Sequence, residues 1–94
     1  MKIRYLRRAL RDLDALQDYI AGDNPSAAEK TVLTIRRHIG RLAEQPRLGR
    51  PGRTAGTREL AVPGTAYVVA YRVTDETVDV LAVVHGARIW PHSF

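Results

Sequence analysis

Two short apolar runs, Tyr67–Val73 and Val78–Val84, lie on either side of Thr74-Asp75-Glu76-Thr77 and constrain this chain more than any other feature. Both are rich in valine and tyrosine, which suit a pleated, half-buried surface. Closing them through a two-residue loop pairs Val73 with Val78, Tyr71 with Val80, Val69 with Ala82 and Tyr67 with Val84. Side chains alternate along a strand, so this register puts all eight on one face. It also sets Arg72 opposite Asp79 on the other face, where opposite charges attract mildly. The runs therefore predict a hairpin with one core face.

The segments before it supply what that face must pack against. Lys2–Leu6 alternates, with Ile3 and Tyr5 on one side and Arg4 on the other, and reads as a strand. From about Ala9 to Ala21, Ala9, Leu13, Leu16 and Ile20 recur at helical spacing, with Leu10 and Tyr19 broadening the stripe. Arg8–Asp12 and Arg11–Asp14 are favourable surface pairs on that helix. Asn24 is a good N-cap for a second helix, Pro25 fits its first position, and Glu29 lies toward the positive end of its dipole. Ala28, Val32, Ile35, Ile39 and Leu42 form its apolar face until Pro46 forbids continuation. Two amphipathic helices joined so tightly pack as an antiparallel hairpin. Gln45–Thr57 reads as an irregular Gly/Pro/Arg loop. Arg58–Val62 is a further strand with Leu60 and Val62 on one face, and Pro63-Gly64 turns the chain into the long hairpin. The expected fold is a single α+β domain over residues 1–94. In it the helical hairpin covers one face of a small antiparallel sheet made of the N-terminal strand and three C-terminal strands.

Composition narrows the function classes. Cysteine is absent, so disulfides and thiolate metal sites are excluded, which fits a cytoplasmic location. No apolar run approaches a membrane span and no signal-type N-terminus is seen. The net charge is +5, and its excess is local. Eight basic residues (Lys30, Arg36, Arg37, Arg41, Arg47, Arg50, Arg53, Arg58) stand against the single acid Glu44 between residues 30 and 58. Elsewhere seven basic residues meet nine acids. Such a one-sided patch attracts nucleic acid, an acidic protein, or both. The same arginines could instead be a solvated loop and a hydrated helix face.

Candidate chemistry is sparse. His85 and Arg88 sit together at the exit of the last strand, where a histidine could move a proton and an arginine could steady a phosphate. The plainer reading has His85 capping the sheet edge and Arg88 pairing with an acid or the carboxy terminus. His38 falls on the solvated side of the second helix and His92 in the tail, so no metal site is expected. Nor is any cofactor: no Ser-His-Asp set is present, and Gly49-Arg50-Pro51-Gly52 lacks the strand-to-helix setting of a phosphate cradle. Trp90 is read as core packed against the helices, with a partner contact as the other reading.

Three segments, in this order and spacing, resemble the RelE/ParE toxins of bacterial type II toxin–antitoxin modules. They are Asp12–Ala28 (DLDALQDYIAGDNPSAA), Leu42–Gly52 (LAEQPRLGRPG), and GTREL with YVVAYRV and VVHGARIWP from Gly56 to Pro91. The resemblance covers essentially the whole chain. It implies a toxin neutralised by a cognate antitoxin, expected to be ParD-like with a ribbon-helix-helix fold, in a hetero-oligomer that meets operator DNA only through the antitoxin. ParE-like members inhibit DNA gyrase, whereas RelE-like members cleave messenger RNA on the ribosome. RelE-like cleavage uses lysine and arginine on the central strands, an arginine after the last strand and a C-terminal tyrosine. Only the arginine after the last strand has a counterpart here, Arg88. Val68, Glu59 and Ala61 stand where basic residues are expected, and Phe94 stands where the tyrosine would be. The resemblance therefore points to gyrase inhibition by binding, without a catalytic site. Arg36, Arg37, Arg41, Arg47, Arg50, Arg53, Arg58, Arg88 and Trp90 are the candidate contacts. The alternative is an endoribonuclease using Arg58, His85 and Arg88, and a second is an inactive member that only binds its antitoxin.

Overall fold

In the computed structural model, residues 1–88, 90, 91 and 94 are described. Along them run β1 (Lys2–Tyr5), α1 (Arg7–Ala21), α2 (Pro25–Gly40), a 3-10 turn (Arg41–Ala43), β2 (Arg50–Pro51), β3 (Arg58–Ala61), β4 (Tyr67–Val73) and β5 (Thr77–His85). The helical hairpin and the three C-terminal strands are those expected. Asn24 caps α2 as predicted: its Oδ1 accepts the Ala27 N–H at 3.1 Å, and Pro25 follows at the first position. Replacing Asn24 by alanine should cost about 1 kcal/mol, read as a lower thermal midpoint with an unchanged circular-dichroism spectrum. The helix ends sooner than Pro46 requires, passing into the 3-10 turn that buries Leu42.

The sheet has one strand more than expected. Arg50–Pro51, inside the segment read as irregular, pairs with Glu59 and Arg58 of β3. The strand order is β1-β5-β4-β3-β2. The extra reversal through β2 leaves β1 and β5 running the same way, so their pairing is parallel and the sheet is mixed. Arg4 faces Asp79 across it and grips both carboxylate oxygens, at 3.0 Å from Nε and 2.7 Å from Nη2. These bonds hold the Asp79 carboxyl below the usual range against the opposing effect of burial, helped by the Thr77 hydroxyl and by the charges of Arg4 and Arg72. Arg72 is opposite Asp79 in the register as expected, but Arg4 makes the bond.

A β-bulge corrects the hairpin. Val73, Arg72 and Tyr71 pair with Val78, Asp79 and Val80 as predicted. Leu81 then drops out of the ladder, so Ala70 meets Ala82, Val69 meets Val83, Val68 meets Val84 and Tyr67 meets His85. One extra residue in a strand turns everything beyond it to the other face. Val83 therefore joins Val69, Tyr71, Val78 and Val80 in the main core with Leu13, Leu16, Ile35, Ile39 and Leu42. Ala82 and Val84, expected on that face, turn away with Ala70 to form a second apolar patch. Trp90 packs against this patch together with Phe94, and not in the core against the helices as expected.

On α1 the inner stripe of Ala9, Leu13 and Leu16 is buried as expected, but Leu10 is 40% and Tyr19 80% exposed. Both lie on the flanks of the helix, roughly a quarter-turn from the centre of the buried stripe. The Arg8–Asp12 pair forms at 3.6 Å. The expected Arg11–Asp14 pair is not among the ion pairs of the described residues. Among the described residues no helix is long and apolar enough to cross a membrane.

Candidate partner-binding surfaces

The basic loop is folded back onto the sheet by two strand side chains, Tyr71 of β4 and Glu59 of β3. Tyr71 is fully buried, and its hydroxyl donates to the Pro46 carbonyl at 2.7 Å while accepting the Gly49 N–H at 2.8 Å. Burial raises its pKa, the Gly49 bond and the Arg58 charge opposing. Arg58 completes this clamp through a 2.8 Å bond from Nη1 to the Gly49 carbonyl.

Glu59 holds the other half of the loop. Its residue is only 3% exposed, and its carboxylate accepts the Arg53 N–H at 2.7 Å and single bonds from the Arg50 and Arg53 guanidiniums at 3.3 Å. Burial alone would raise its pKa. The Arg53 backbone bond, the Arg53 charge and the two side-chain bonds outweigh burial and leave the carboxyl below the usual range. Arg53 also lies over the Trp90 ring at 4.0 Å, and the Thr54 hydroxyl donates to the Pro91 carbonyl at 3.1 Å. Loop and tail thus brace each other on the second face.

The predicted contact residues fall into two groups. Arg50, Arg53 and Arg58 are engaged within the fold, while Arg47 is exposed and meets no carboxylate among the described residues. On α2, Arg36 stacks on Tyr5 at 5.0 Å. Arg37 and Arg41 line a shallow groove of about 250 Å³ with Gly40, Glu44 and Gln45. His38 is half-buried instead of solvated, its Nδ1 lying 2.8 Å from the Thr34 carbonyl.

His85 and Arg88 open onto a larger groove of about 580 Å³ between α1 and the end of β5, shared with Tyr19, Tyr67 and Arg8. His85 meets Tyr67 edge-on at 5.5 Å, and its Nδ1 accepts the Ala87 N–H at 3.2 Å. It does cap the strand exit. Arg88 is exposed, and among the described residues it pairs with no acid. Asp12, in the same groove, is occupied by the Val83 N–H at 2.9 Å, a role its surface pairing with Arg8 did not reveal.

The three residues of the endoribonuclease alternative are not brought together. Arg58 pairs across from Tyr71 and His85 across from Tyr67. Those positions are four residues apart on β4, about 13 Å along the strand. Phe94 packs on Trp90 and under Arg8, with no hydroxyl to offer. Among the described residues no cluster of His, Cys, Asp or Glu could hold a metal ion; His92 lies outside them.

The model of the ParE toxin of the type II toxin–antitoxin system parDE matches residues 3–90. This chain belongs to the ParE toxin family. The family is the RelE/ParE superfamily of toxins, as the resemblance implied. This ParE-family toxin is 42% identical over 90 residues to Y4kP of Sinorhizobium fredii, named as a toxin, covering 96% of this chain and 93% of that one. It is also 42% identical over 82 residues to the toxin RelE2 of Caulobacter vibrioides, covering 87% and 91%. A solved chain of the chromosomal ParDE toxin–antitoxin system from P. aeruginosa superposes on the toxin with a TM-score of 0.81. Its identity is 27%, and the match covers 90% of this chain and 95% of that one.

Proposed function

We propose that this type II toxin acts by binding DNA gyrase in the cytoplasm, and that a ParD-like antitoxin neutralises it by covering its basic and apolar surfaces. One observation carries the reading: the strand position where a cleaving relative would place a lysine is Glu59, buried and tied to Arg50 and Arg53. RNA cleavage without a metal needs groups that activate the 2′-hydroxyl, stabilise the phosphorane and protonate the leaving oxygen. Here Arg58 is bonded to a backbone carbonyl, and His85 and Arg88 stand at the far end of β4. The ParDE structure supports an antitoxin partner, and its likeness agrees with the gyrase branch. The 42% identity to a protein named RelE2 keeps messenger-RNA cleavage as the rival.

Purified toxin added to gyrase should abolish supercoiling of relaxed plasmid, and primer extension on translated messages should show no new ends. Ribosome-dependent cleavage with normal supercoiling would reverse the assignment. Unimpaired growth on expression without antitoxin would leave a binding module alone.

A further inference from the structure

Glu59 holds the guanidiniums of Arg50 and Arg53 and the Gly49 carbonyl holds that of Arg58, so apart from Arg47 the exposed cations of the middle third that meet no acid among the described residues stand on α2 and just past its end. Ala28, Ile35 and Ile39 mark its buried side. Lys30, Leu33, Arg37 and Arg41 follow at spacings of three or four residues on the side directly opposite, Arg41 just past the helix end. All four are exposed. Arg36 stands beside this row with its guanidinium on Tyr5, and among the described residues its charge is paired with no acid. The nearby acids are Glu29 on the flank of α2 and Glu44 in the groove with Arg37 and Arg41. Neither forms an ion pair with these cations.

We propose that this outward face of α2 binds the phosphate backbone of duplex DNA. From Lys30 to Arg41 the row is about 16 Å long at 1.5 Å per residue. A duplex strand sets a phosphate every ~3.4 Å along its axis, so one face of a straight helix can lie against several. The chemistry favours this client over a protein helix. An amphipathic partner helix needs a groove with apolar anchors, whereas this face offers one leucine among cations, the polar, positive character of nucleic-acid interfaces. It also favours a duplex over single-stranded RNA, because no aromatic side chain stands in the row for unpaired bases to stack on. Backbone contacts of this kind read no sequence, so operator recognition stays with the antitoxin. The surface shares no residue with the His85–Arg88 groove, and the proposal stands whether or not gyrase is the target.

The test is fluorescence anisotropy of a labelled duplex of about 20 bp with the purified full chain, titrated between about 50 and 200 mM salt. Four contacts, from Lys30, Arg37 and Arg41 of the row and from Arg36 beside it, predict that the association constant falls about a hundredfold over that range. The double variant R37Q/R41Q should lose two contacts, so that the same salt change lowers binding only about tenfold. Both side chains are exposed and form no ion pair among the described residues, and the variant's circular-dichroism spectrum should match the wild type. R7Q/R11Q removes the same charge from α1 and should keep the full salt slope. The proposal fails if the duplex does not bind, if R7Q/R11Q flattens the slope as much, or if single-stranded RNA of equal length or an acidic peptide binds more tightly through Arg37 and Arg41.

Discussion

Gly49→Ala should lower the unfolding free energy by about 3 kcal/mol, which in a domain of this size is roughly a 15 °C fall in melting temperature. A Cβ at this position would lie 2.7 Å from the Glu59 carbonyl oxygen, 2.7 Å from the Tyr71 hydroxyl and 2.8 Å from Tyr71 Cε1. None of the three can give way cheaply. The Glu59 backbone is fixed between β2 and β4, and the Tyr71 ring is fully buried. Relief must come from the loop, at the expense of the Gly49–Tyr71 and Arg58–Gly49 bonds, each worth about 1 kcal/mol. Gly56→Ala is the matched control. Gly56 has φ +78° and open space around it, so its substitution costs only the left-handed backbone penalty of about 1 kcal/mol. Equal melting temperatures for the two variants would show that Tyr71 does not pin the loop.

What was legible in the sequence follows from how local the deciding interaction is. The helices could be read because cap, proline and apolar spacing all lie within a few residues, and the Asn24 cap appears as drawn. The hairpin could be read near its turn, where Val73, Arg72 and Tyr71 find their expected partners. Beyond Leu81 it could not, because a bulge leaves no mark in an unbroken run of Val, Leu and Ala. That slip moved Ala82 and Val84 to the second face and with them the seat of Trp90. The basic loop misled for a different reason. Charge counting sees eight cations and one acid, but Glu59 lies just outside that window and reaches Arg50 and Arg53 only once β2 pairs with β3. The available clue was an acid inside the short predicted strand that also carries Leu60 and Val62. Within the candidate site, the residue types could be read and the groupings could not: Arg58, His85 and Arg88 lie on different ends of β4, a separation set wholly by register.

Glu59→Lys, which would install the strand lysine of the cleaving branch, should cost about 4 kcal/mol, enough to leave a domain of ordinary stability marginal. The new ammonium would sit where the carboxylate now accepts the Arg53 N–H and two guanidinium bonds, so three cations would converge on a nearly buried point. The Arg50–Arg53 segment would lift away, and Trp90, the only tryptophan, would report it by a shift in fluorescence as Arg53 leaves its ring. Glu59→Gln separates charge from shape. It keeps an acceptor for the Arg53 N–H and should cost about 1–2 kcal/mol at pH 7. Because the folded-state pKa of Glu59 is depressed, its ionic contribution is complete above the unfolded value of about 4.3 and is lost as the pH falls through the folded value. Urea midpoints of wild type and Glu59→Gln should therefore converge between pH 5 and pH 3, while Asp79 acts alike in both. A gap that stays constant over that range would mean the carboxylate charge does not hold the loop, and the strand position would again be open to a catalytic cation.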